Sequence, residues 1–89
     1  MKPIRWTVHA LQNLTNREIS QQEANLALLA PEFIVNSTQS VRQIFMKRYF
    51  DAILQQEMLL RIVVEETSTE IVVCTVYKTS QIQKYLRGL

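Results

Sequence analysis

Residues 58–78, MLLRIVVEETSTEIVVCTVYK, decide how this chain folds. Two apolar runs rich in β-branched residues, 60–64 and 71–76, flank the polar segment 65–70, which contains no Pro and no Gly. β-Branched residues suit the pleated surface of a strand, and two such runs around a polar segment are typical of a hairpin. The stretch therefore predicts a β-hairpin whose strands lie centrally in a small sheet.

The alternation of side chains between strand faces predicts which of these residues face the core. Even-numbered positions carry only apolar side chains, namely Leu60, Ile62, Val64, Val72, Cys74 and Val76. Odd-numbered positions mix apolar residues with Arg61, Thr75 and Tyr77, which would bring a guanidinium, a hydroxyl and a phenol together on the outer face. Both strands can share the even-numbered face only if the loop around Ser68 has an odd number of residues.

Length and composition indicate one small domain, residues 1–89. Of the 89 residues, 47% are hydrophobic and 20% are charged, as in ordinary globular proteins. One glycine and two prolines leave few breakers, so most of the chain should lie in regular elements. The net charge of +2 permits contact with a polyanion but does not demand it.

The sequence predicts a protein of the reducing cytoplasm that does not enter a membrane. The N-terminal segment lacks the apolar core of a signal peptide, and no run approaches the roughly 18 apolar residues of a membrane span. The single cysteine, Cys74, cannot form an internal disulfide. Because it falls on the predicted core face, we expect it to pack as a small hydrophobe.

A first helix should follow a short strand at residues 4–8. Thr7 is the expected N-cap, and Val8, Leu11 and Leu14 repeat at the spacing of one helix face. The polar face would carry His9, Gln12, Asn13 and Asn16.

Two further helices are predicted. A capping box at residues 20–23 indicates a helix over 21–30 that stops before Pro31. A cap at Thr79 or Ser80 should start the last helix. The apolar stripe of that helix consists of Ile82, Tyr85, Leu86 and Leu89.

Together these elements predict an α+β domain. An antiparallel sheet of about four strands, a typical sheet size, would pack with two N-terminal helices and one C-terminal helix. Besides the hairpin, residues 32–36 look extended and residues 41–50 have strand composition. Odd-numbered and even-numbered positions of residues 41–50 both carry apolar side chains, so the sequence does not show which face of that strand points to the core.

Several common functional sites do not fit the residue counts. Gly88 is the only glycine, which excludes a Gly-rich phosphate loop, and one Cys with one His cannot make a zinc cluster. Glu65, Glu66 and Glu70 crowd the hairpin tip, where charges are usually just solvated. The sequence therefore predicts neither a metal site nor a cofactor.

The remaining polar residues suit cleavage of RNA without a metal. Such cleavage needs a group that takes the 2′-hydroxyl proton, a group that protonates the leaving oxygen, and cations around the phosphorane. Imidazole ordinarily titrates near neutrality, and His9 is the one histidine. Tyr77 or Tyr85 could supply a phenol. Cationic donors could come from Arg17, Arg42, Lys47, Arg48, Arg61, Lys78 and Lys84.

Each candidate also has a structural interpretation. His9 could simply be a surface residue of the first helix or could cap it. A cation such as Arg61 within an apolar strand must reach solvent or hold a partner, and its stem could simply lie over the open sheet face. Trp6 and Phe45 suit the core better than a base-stacking platform.

Five short motifs lie in order along the chain: Thr7-x-His9-Ala10, Arg17-x-Ile19, Leu60-Arg61-x-Val63-Val64, Val73-x-Thr75-x-Tyr77 and Lys84-Tyr85. In this order and spacing they resemble a widespread bacterial family of small domains of unknown function. That family is similar to the BrnT and RelE-like toxins of type II toxin–antitoxin modules, which share a small sheet packed against helices. The similarity runs from Trp6 to Tyr85.

The resemblance implies a RelE/BrnT-like, metal-independent endoribonuclease, an mRNA interferase, that a cognate antitoxin inhibits. His9, Arg61 and Tyr77 would be its catalytic residues. RNA would be bound by Arg17, Arg42, Lys47, Arg48, Lys78 and Lys84. Two positions depart from the family pattern: Asn13 stands where relatives often carry an arginine, and Glu18 where a glycine is usual.

A non-catalytic protein-interaction module of the same fold is the alternative hypothesis. Such a module would hold a protein partner on the same sheet face or on an exposed strand edge. Convergence of His9, Arg61 and Tyr77 on one cleft would favour the enzyme. Burial or isolation of His9 would favour the module.

Overall fold

A computed structural model describes residues 2–89, which form one five-stranded sheet and three helices. In chain order the elements are β1 (Ile4–Trp6), α1 (Val8–Asn16), α2 (Gln21–Leu29), β2 (Phe33–Asn36), β3 (Gln43–Asp51), β4 (Gln56–Glu66), β5 (Ile71–Thr79) and α3 (Ile82–Leu86). The strand order across the sheet is β1-β5-β4-β3-β2. Within the described residues, no helix has the length and apolar character needed to cross a membrane.

The predicted α+β class is confirmed, but the sheet differs from the expected antiparallel sheet of about four strands. It has five strands and is mixed, because β1 runs parallel to β5 and pairs Ile4 with Ile71 and Trp6 with Val73. The short strand predicted at residues 4–8 forms as β1, but no local pattern in the sequence shows that it pairs in parallel with β5. The other strand pairs are antiparallel.

The β4–β5 hairpin forms as predicted, but the predicted odd number of loop residues is wrong. Glu66 pairs with Ile71, so four residues, 67–70, make the turn. Thr67 closes this turn, since its hydroxyl accepts hydrogen bonds from the backbone N–H groups of Thr69 and Glu70. An even loop would by itself place the two apolar faces on opposite sides of the sheet.

A β-bulge at Cys74 restores the common core face. Val63 pairs with Thr75 and Val64 with Val73, which leaves Cys74 as an extra residue in β5. The predicted core positions Leu60, Ile62, Val64 and Val76 are therefore buried against the helices, whereas Val72 and Cys74 are not part of that cluster. Ile71 and Val73 take their places. Cys74 is only half-buried, so the expectation of simple core packing is wrong for it.

Helices α1 and α2 cover one face of the sheet. The side of the core away from the sheet consists of the helical residues Ala10, Leu14, Ala24, Ala27 and Leu28, with Ile19 from the connection between the two helices. The predicted stripe of α1 is only partly right, because Val8 and Leu11 are exposed and Asn13 is buried beside Leu14. In β3, Phe45 packs on this core.

The opposite sheet face also buries apolar residues. Met46 and Leu59 are almost fully buried there, although neither belongs to the core beneath α1 and α2. Strand β3 is thus covered on both faces around Phe45 and Met46, whereas Phe50 at its far end is 63% exposed. Helix α3 approaches this second face, where Tyr85 lies over Arg61.

The helix ends follow from capping groups. The Ser20 hydroxyl accepts from the backbone N–H of Glu23, as predicted for the start of α2. Helix α3 differs from prediction, because Gln81 is its N-cap and gives no side-chain cap. The hydroxyl of Thr79 instead accepts from the backbone N–H of Gln81. Gly88, just past the helix, has φ +85, as suits a C-terminal glycine.

Glu18 occupies a backbone conformation that favours glycine. Its φ is 54, and it follows α1 in a Schellman motif, with Ile19 N–H donating to Leu14 O and Glu18 N–H to Thr15 O. Left-handed backbone costs a non-glycine residue roughly 1 kcal/mol or more. Glycine adopts this conformation without that cost, so Glu18→Gly is compatible with the backbone here.

Candidate functional site

Arg61 and Tyr77 meet on the sheet face opposite α1 and α2. They are cross-strand partners in β4 and β5, and Arg61 Nη1 donates a hydrogen bond to Tyr77 Oη. The Arg61 guanidinium carbon lies 5.2 Å from the centre of the Tyr77 ring and 4.0 Å from that of Tyr85 in α3. Arg61 thus holds partners on this face, at distances within the range of cation–π contact.

One nitrogen of Arg61 lacks a hydrogen-bond partner within residues 2–89. Its Nε is buried and makes no hydrogen bond to any residue in the described range 2–89. A buried donor without an acceptor is costly and uncommon in folded proteins.

A second arginine reaches the same tyrosine from the end of α1. Arg17 Nη1 donates to the carbonyl of Val76 at 2.7 Å, and its guanidinium carbon lies 6.0 Å from the centre of the Tyr77 ring. One turn earlier, the side-chain oxygen of buried Asn13 accepts from the N–H of Val76 at 3.0 Å. Because β1 pairs only with Ile71–Val73, these two side chains occupy the edge of β5 where a neighbouring strand would otherwise pair.

The two arginines carry uncompensated positive charge. Across residues 2–89, neither Arg17 nor Arg61 forms an ion pair with a carboxylate. Other cations are neutralised, in the pairs Lys2–Glu66, Arg5–Glu70, Arg42–Glu65, Arg48–Glu32 and Lys78–Asp51. Two unpaired guanidinium groups beside one phenol create a local positive potential that attracts anions.

Tyr77 keeps its proton at neutral pH. Burial raises the pKa of its hydroxyl above the usual 10.0, against the opposing charges of Arg61 and Arg17. Arginine has only donors, so Tyr77 Oη accepts from Arg61 and its own O–H can point to another group. Tyr77 can therefore donate a hydrogen bond or a proton to a ligand.

His9 lies in a neighbouring cavity rather than beside the Arg61–Tyr77 pair. The imidazole is exposed at the start of α1, and the helix is capped by Thr7, whose hydroxyl accepts from Ala10 N–H at 3.1 Å. The cavity has a volume of about 410 Å³ and is also lined by Arg5, Thr7, Arg42, Glu65, Thr67, Val72, Cys74 and Thr75. In the described chain, no hydrogen bond joins His9 to Arg61 or Tyr77.

A second cavity adjoins the first at Thr75. Its volume is about 630 Å³, and its lining consists of Arg17, Leu54, Met58, Thr75, Tyr77 and Lys78. Thr75 and Tyr77 point to the same sheet face and lie two residues apart, roughly 7 Å along β5. The structure therefore places His9 and Tyr77 in adjoining cavities and joins Tyr77 directly to Arg61, but it does not bring all three side chains into one contact.

The predicted RNA-binding residues are dispersed. Arg42 lines the His9 cavity and pairs with Glu65 at 3.6 Å. The Lys47 ammonium donates to the carbonyl of Ala30, and Lys84 lies 5.5 Å from the centre of the Tyr85 ring. Arg48 is held by both oxygens of Glu32. Of this basic set, Arg17 makes the most direct approach to Tyr77.

Lys78 belongs to a buried ion pair that the sequence did not indicate. Its ammonium lies 2.6 Å from Asp51 Oδ2, and the side chains of Lys78 and Asp51 are 11% and 5% exposed. The hydrogen bond from Lys78, with others from the N–H groups of Leu54 and Ile53, lowers the pKa of Asp51 from 3.8 to about 2. Lys78 thus stabilises the turn between β3 and β4 next to the second cavity.

The stability of the domain should fall in acid because of this pair. A carboxyl with a lowered folded-state pKa stabilises above its ordinary pKa, here 3.8, and that contribution is lost as the pH falls towards about 2. We expect Asp51→Asn to reduce the slope of unfolding free energy against pH between those limits, measured by urea titration. Glu32, whose pKa Arg48 also lowers to about 2, should supply the remaining slope. An unchanged slope in Asp51→Asn would contradict this account.

Leu54 and Met58 are the cavity residues that the sequence pattern did not reveal. Leu54 is exposed in the turn between β3 and β4 that Asp51 holds, and Met58 lies near the start of β4. The adjacent apolar pair Ile53-Leu54 in a turn is a usable signal, because turns normally carry polar residues.

Comparison with protein-family models, with curated proteins and with solved structures finds no match to this chain. The fold and the site define a small α+β domain with a cluster of arginine and tyrosine on its sheet. The function is therefore inferred from the chemistry of that cluster and its two adjoining cavities.

Proposed function

We propose that this chain is a metal-independent endoribonuclease, the mRNA interferase of a type II toxin–antitoxin module related to the BrnT and RelE-like toxins. It would act in the cytoplasm and be inhibited by a cognate antitoxin. The observation that carries the proposal is the pair of arginines without carboxylate partners, Arg17 and Arg61, on either side of Tyr77. Guanidinium groups match the geometry and charge of phosphate oxygens.

The arginines would bind the scissile phosphate. Charge builds up on the phosphate oxygens as the 2′-hydroxyl attacks, and fixed cations stabilise that charge more than they stabilise the ground state. Arg61 is held in place by Tyr77 and Tyr85, and Arg17 by the carbonyl of Val76. Such anchoring positions the guanidinium groups before the substrate arrives.

Proton transfer would fall to His9 and Tyr77. His9 would take the proton of the attacking 2′-hydroxyl, and Tyr77, which stays protonated at neutral pH, would give one to the leaving 5′ oxygen. An RNA strand that lies along β5 passes both adjoining cavities, because Thr75 lines each of them. The products would be a 2′,3′-cyclic phosphate and a 5′-hydroxyl.

Loss of the Arg61 side chain should abolish toxicity. Induction of the wild-type chain in bacteria without its antitoxin should arrest growth, and Arg61→Ala should relieve the arrest because the phosphate loses its anchored cation. Arg87→Ala is the matched control, since Arg87 is an exposed arginine that lines neither cavity. Colony counts after induction give the readout, with soluble yield and thermal melting of each variant as checks. Full arrest by a soluble, folded Arg61→Ala variant would remove this residue from the mechanism.

A non-catalytic interaction module is the second candidate. The end of β3 and the turn after it expose two large apolar side chains, Phe50 at 63% and Ile53 at 65%, which suits contact with a protein partner. The separation of His9 from the Arg61–Tyr77 pair also agrees with this candidate. A purified chain that binds the product of a neighbouring antitoxin-like gene, yet leaves RNA intact, would establish the module.

A further inference from the structure

We infer that the cavity lined by Leu54, Met58, Tyr77 and Arg17 is a nucleobase-binding site and that it prefers guanine. The inference deepens the proposed function and rests on it for its biological meaning, since it names the nucleotide next to the scissile phosphate.

The size and apolar lining of the cavity suit a base. Its volume of about 630 Å³ lies within the range of small-molecule sites. The apolar lining comes from Leu54, Met58 and the half-buried ring of Tyr77. Aliphatic, thioether and aromatic side chains of this kind all pack against flat aromatic groups. Leu54 remains 47% exposed, so the protein itself does not fill this space.

The polar lining offers mainly donors. Arg17 uses one N–H on the Val76 carbonyl, which fixes the guanidinium and leaves donors both for a base and for the adjacent scissile phosphate. Lys78 is neutralised by Asp51 and also donates to the Glu18 carbonyl at 3.1 Å. Arg17 is therefore the principal unpaired charge of the cavity.

Donors of this kind favour guanine over the other bases. Guanine presents two adjacent acceptors, O6 and N7, and a bidentate contact from arginine is the commonest way in which proteins recognise it. Adenine presents a donor where guanine has O6, so it would oppose an arginine donor with its own N–H. Discrimination by one such contact amounts to about tenfold or more.

The position of the cavity sets which nucleotide it would hold. It adjoins the His9 cavity through Thr75, and Tyr77 contributes both its ring to the cavity and its hydroxyl to the arginine cluster. The bound base would belong to the nucleotide beside the scissile phosphate. Cleavage would then occur next to guanosine.

Methyl resonances of Leu54 and Met58 give a direct test. Chain labelled at these methyls is titrated separately with 5′-GMP, 5′-AMP, 5′-UMP, 5′-CMP and inorganic phosphate. We expect GMP to shift both methyls at concentrations about tenfold lower than the other nucleotides, and phosphate alone to leave them in place. Arg17→Lys keeps the charge but loses the planar guanidinium that makes two parallel hydrogen bonds, so it should remove the preference. Arg87→Lys should preserve it, because Arg87 is exposed and lines neither cavity.

The result that overturns the inference is the absence of GMP-dependent shifts at these methyls, or equal shifts with all four nucleotides. Mapping of cleavage sites on a mixed-sequence RNA keeps the two proposals separate. GMP binding by a chain that cuts no RNA would refute the nuclease and leave the base site standing. RNA cleavage without preference for guanosine, together with no GMP binding, would refute the base site and leave the nuclease standing.

Discussion

Val64→Asp should unfold the domain, or come close to it. Val64 is 1% exposed in the core beneath α1 and α2, so the new carboxylate would be buried without a partner. Burial of an unpaired charge costs several kcal/mol, a large part of the roughly 5–15 kcal/mol that stabilises a typical small domain. Thermal melting followed by circular dichroism should show a lost or strongly lowered transition.

Val63→Asp is the matched control for this change. Val63 precedes Val64 on β4 but points to the opposite sheet face, where it is only half-buried. The carboxylate at this position can reach water, so the melting temperature should fall much less. Equal destabilisation by the two variants would mean that the assignment of sheet faces is wrong.

His9→Gln should lower the rate of RNA cleavage by about 10²–10⁴-fold, the usual contribution of general acid–base catalysis. Glutamine keeps the polarity and approximate size of histidine but cannot exchange a proton near neutral pH. His9 is exposed, so the fold and the affinity for an antitoxin should hardly change. Single-turnover cleavage of one labelled RNA, alongside a binding titration, separates the two effects.

Gln12→Ala is the control on the same helix, because Gln12 is exposed and lies outside both cavities. Its cleavage rate should match that of the wild type. Undiminished activity in His9→Gln would make this histidine a surface residue of α1 and would leave Tyr77 and the arginines as the catalytic groups.

The alternation of apolar residues was sufficient to predict the central hairpin and most of its core face. Leu60, Ile62 and Val64 repeat every second residue, and all are buried as expected. The prediction fails from Val72 to Cys74, because a bulge shifts the register by one residue without a glycine or proline to mark it. Tertiary pairing with β4, not local sequence, determines where that extra residue lies.

The buried face of α1 shows a second limit of periodicity. Asn13 counts as polar in any helical pattern, yet it is buried because its side chain bonds the open edge of β5 at Val76. Val8 and Leu11 are exposed instead, so the helix is rotated relative to the predicted stripe. A satisfied polar group in the interior cannot be distinguished from a surface residue by sequence spacing alone.

The candidate site was predictable where strand alternation determines it. Arg61 and Tyr77 share the odd-numbered face of one hairpin, so their approach follows from local pairing. The contributions of Arg17 and Tyr85 depend on how α1 and α3 pack on the sheet, which the sequence pattern does not specify. The position of His9 in a separate cavity depends on the same packing.

Cleavage of a labelled RNA by the purified chain in the presence of EDTA tests the central claim most directly. The account predicts internal cleavage that is unaffected by the chelator and absent in Arg61→Ala, with fragments that end in a 2′,3′-cyclic phosphate and a 5′-hydroxyl. Those ends follow from attack by the 2′-hydroxyl on a phosphate held by Arg17 and Arg61. Intact RNA, or cleavage that EDTA abolishes and that leaves 5′-phosphate ends, would contradict the account.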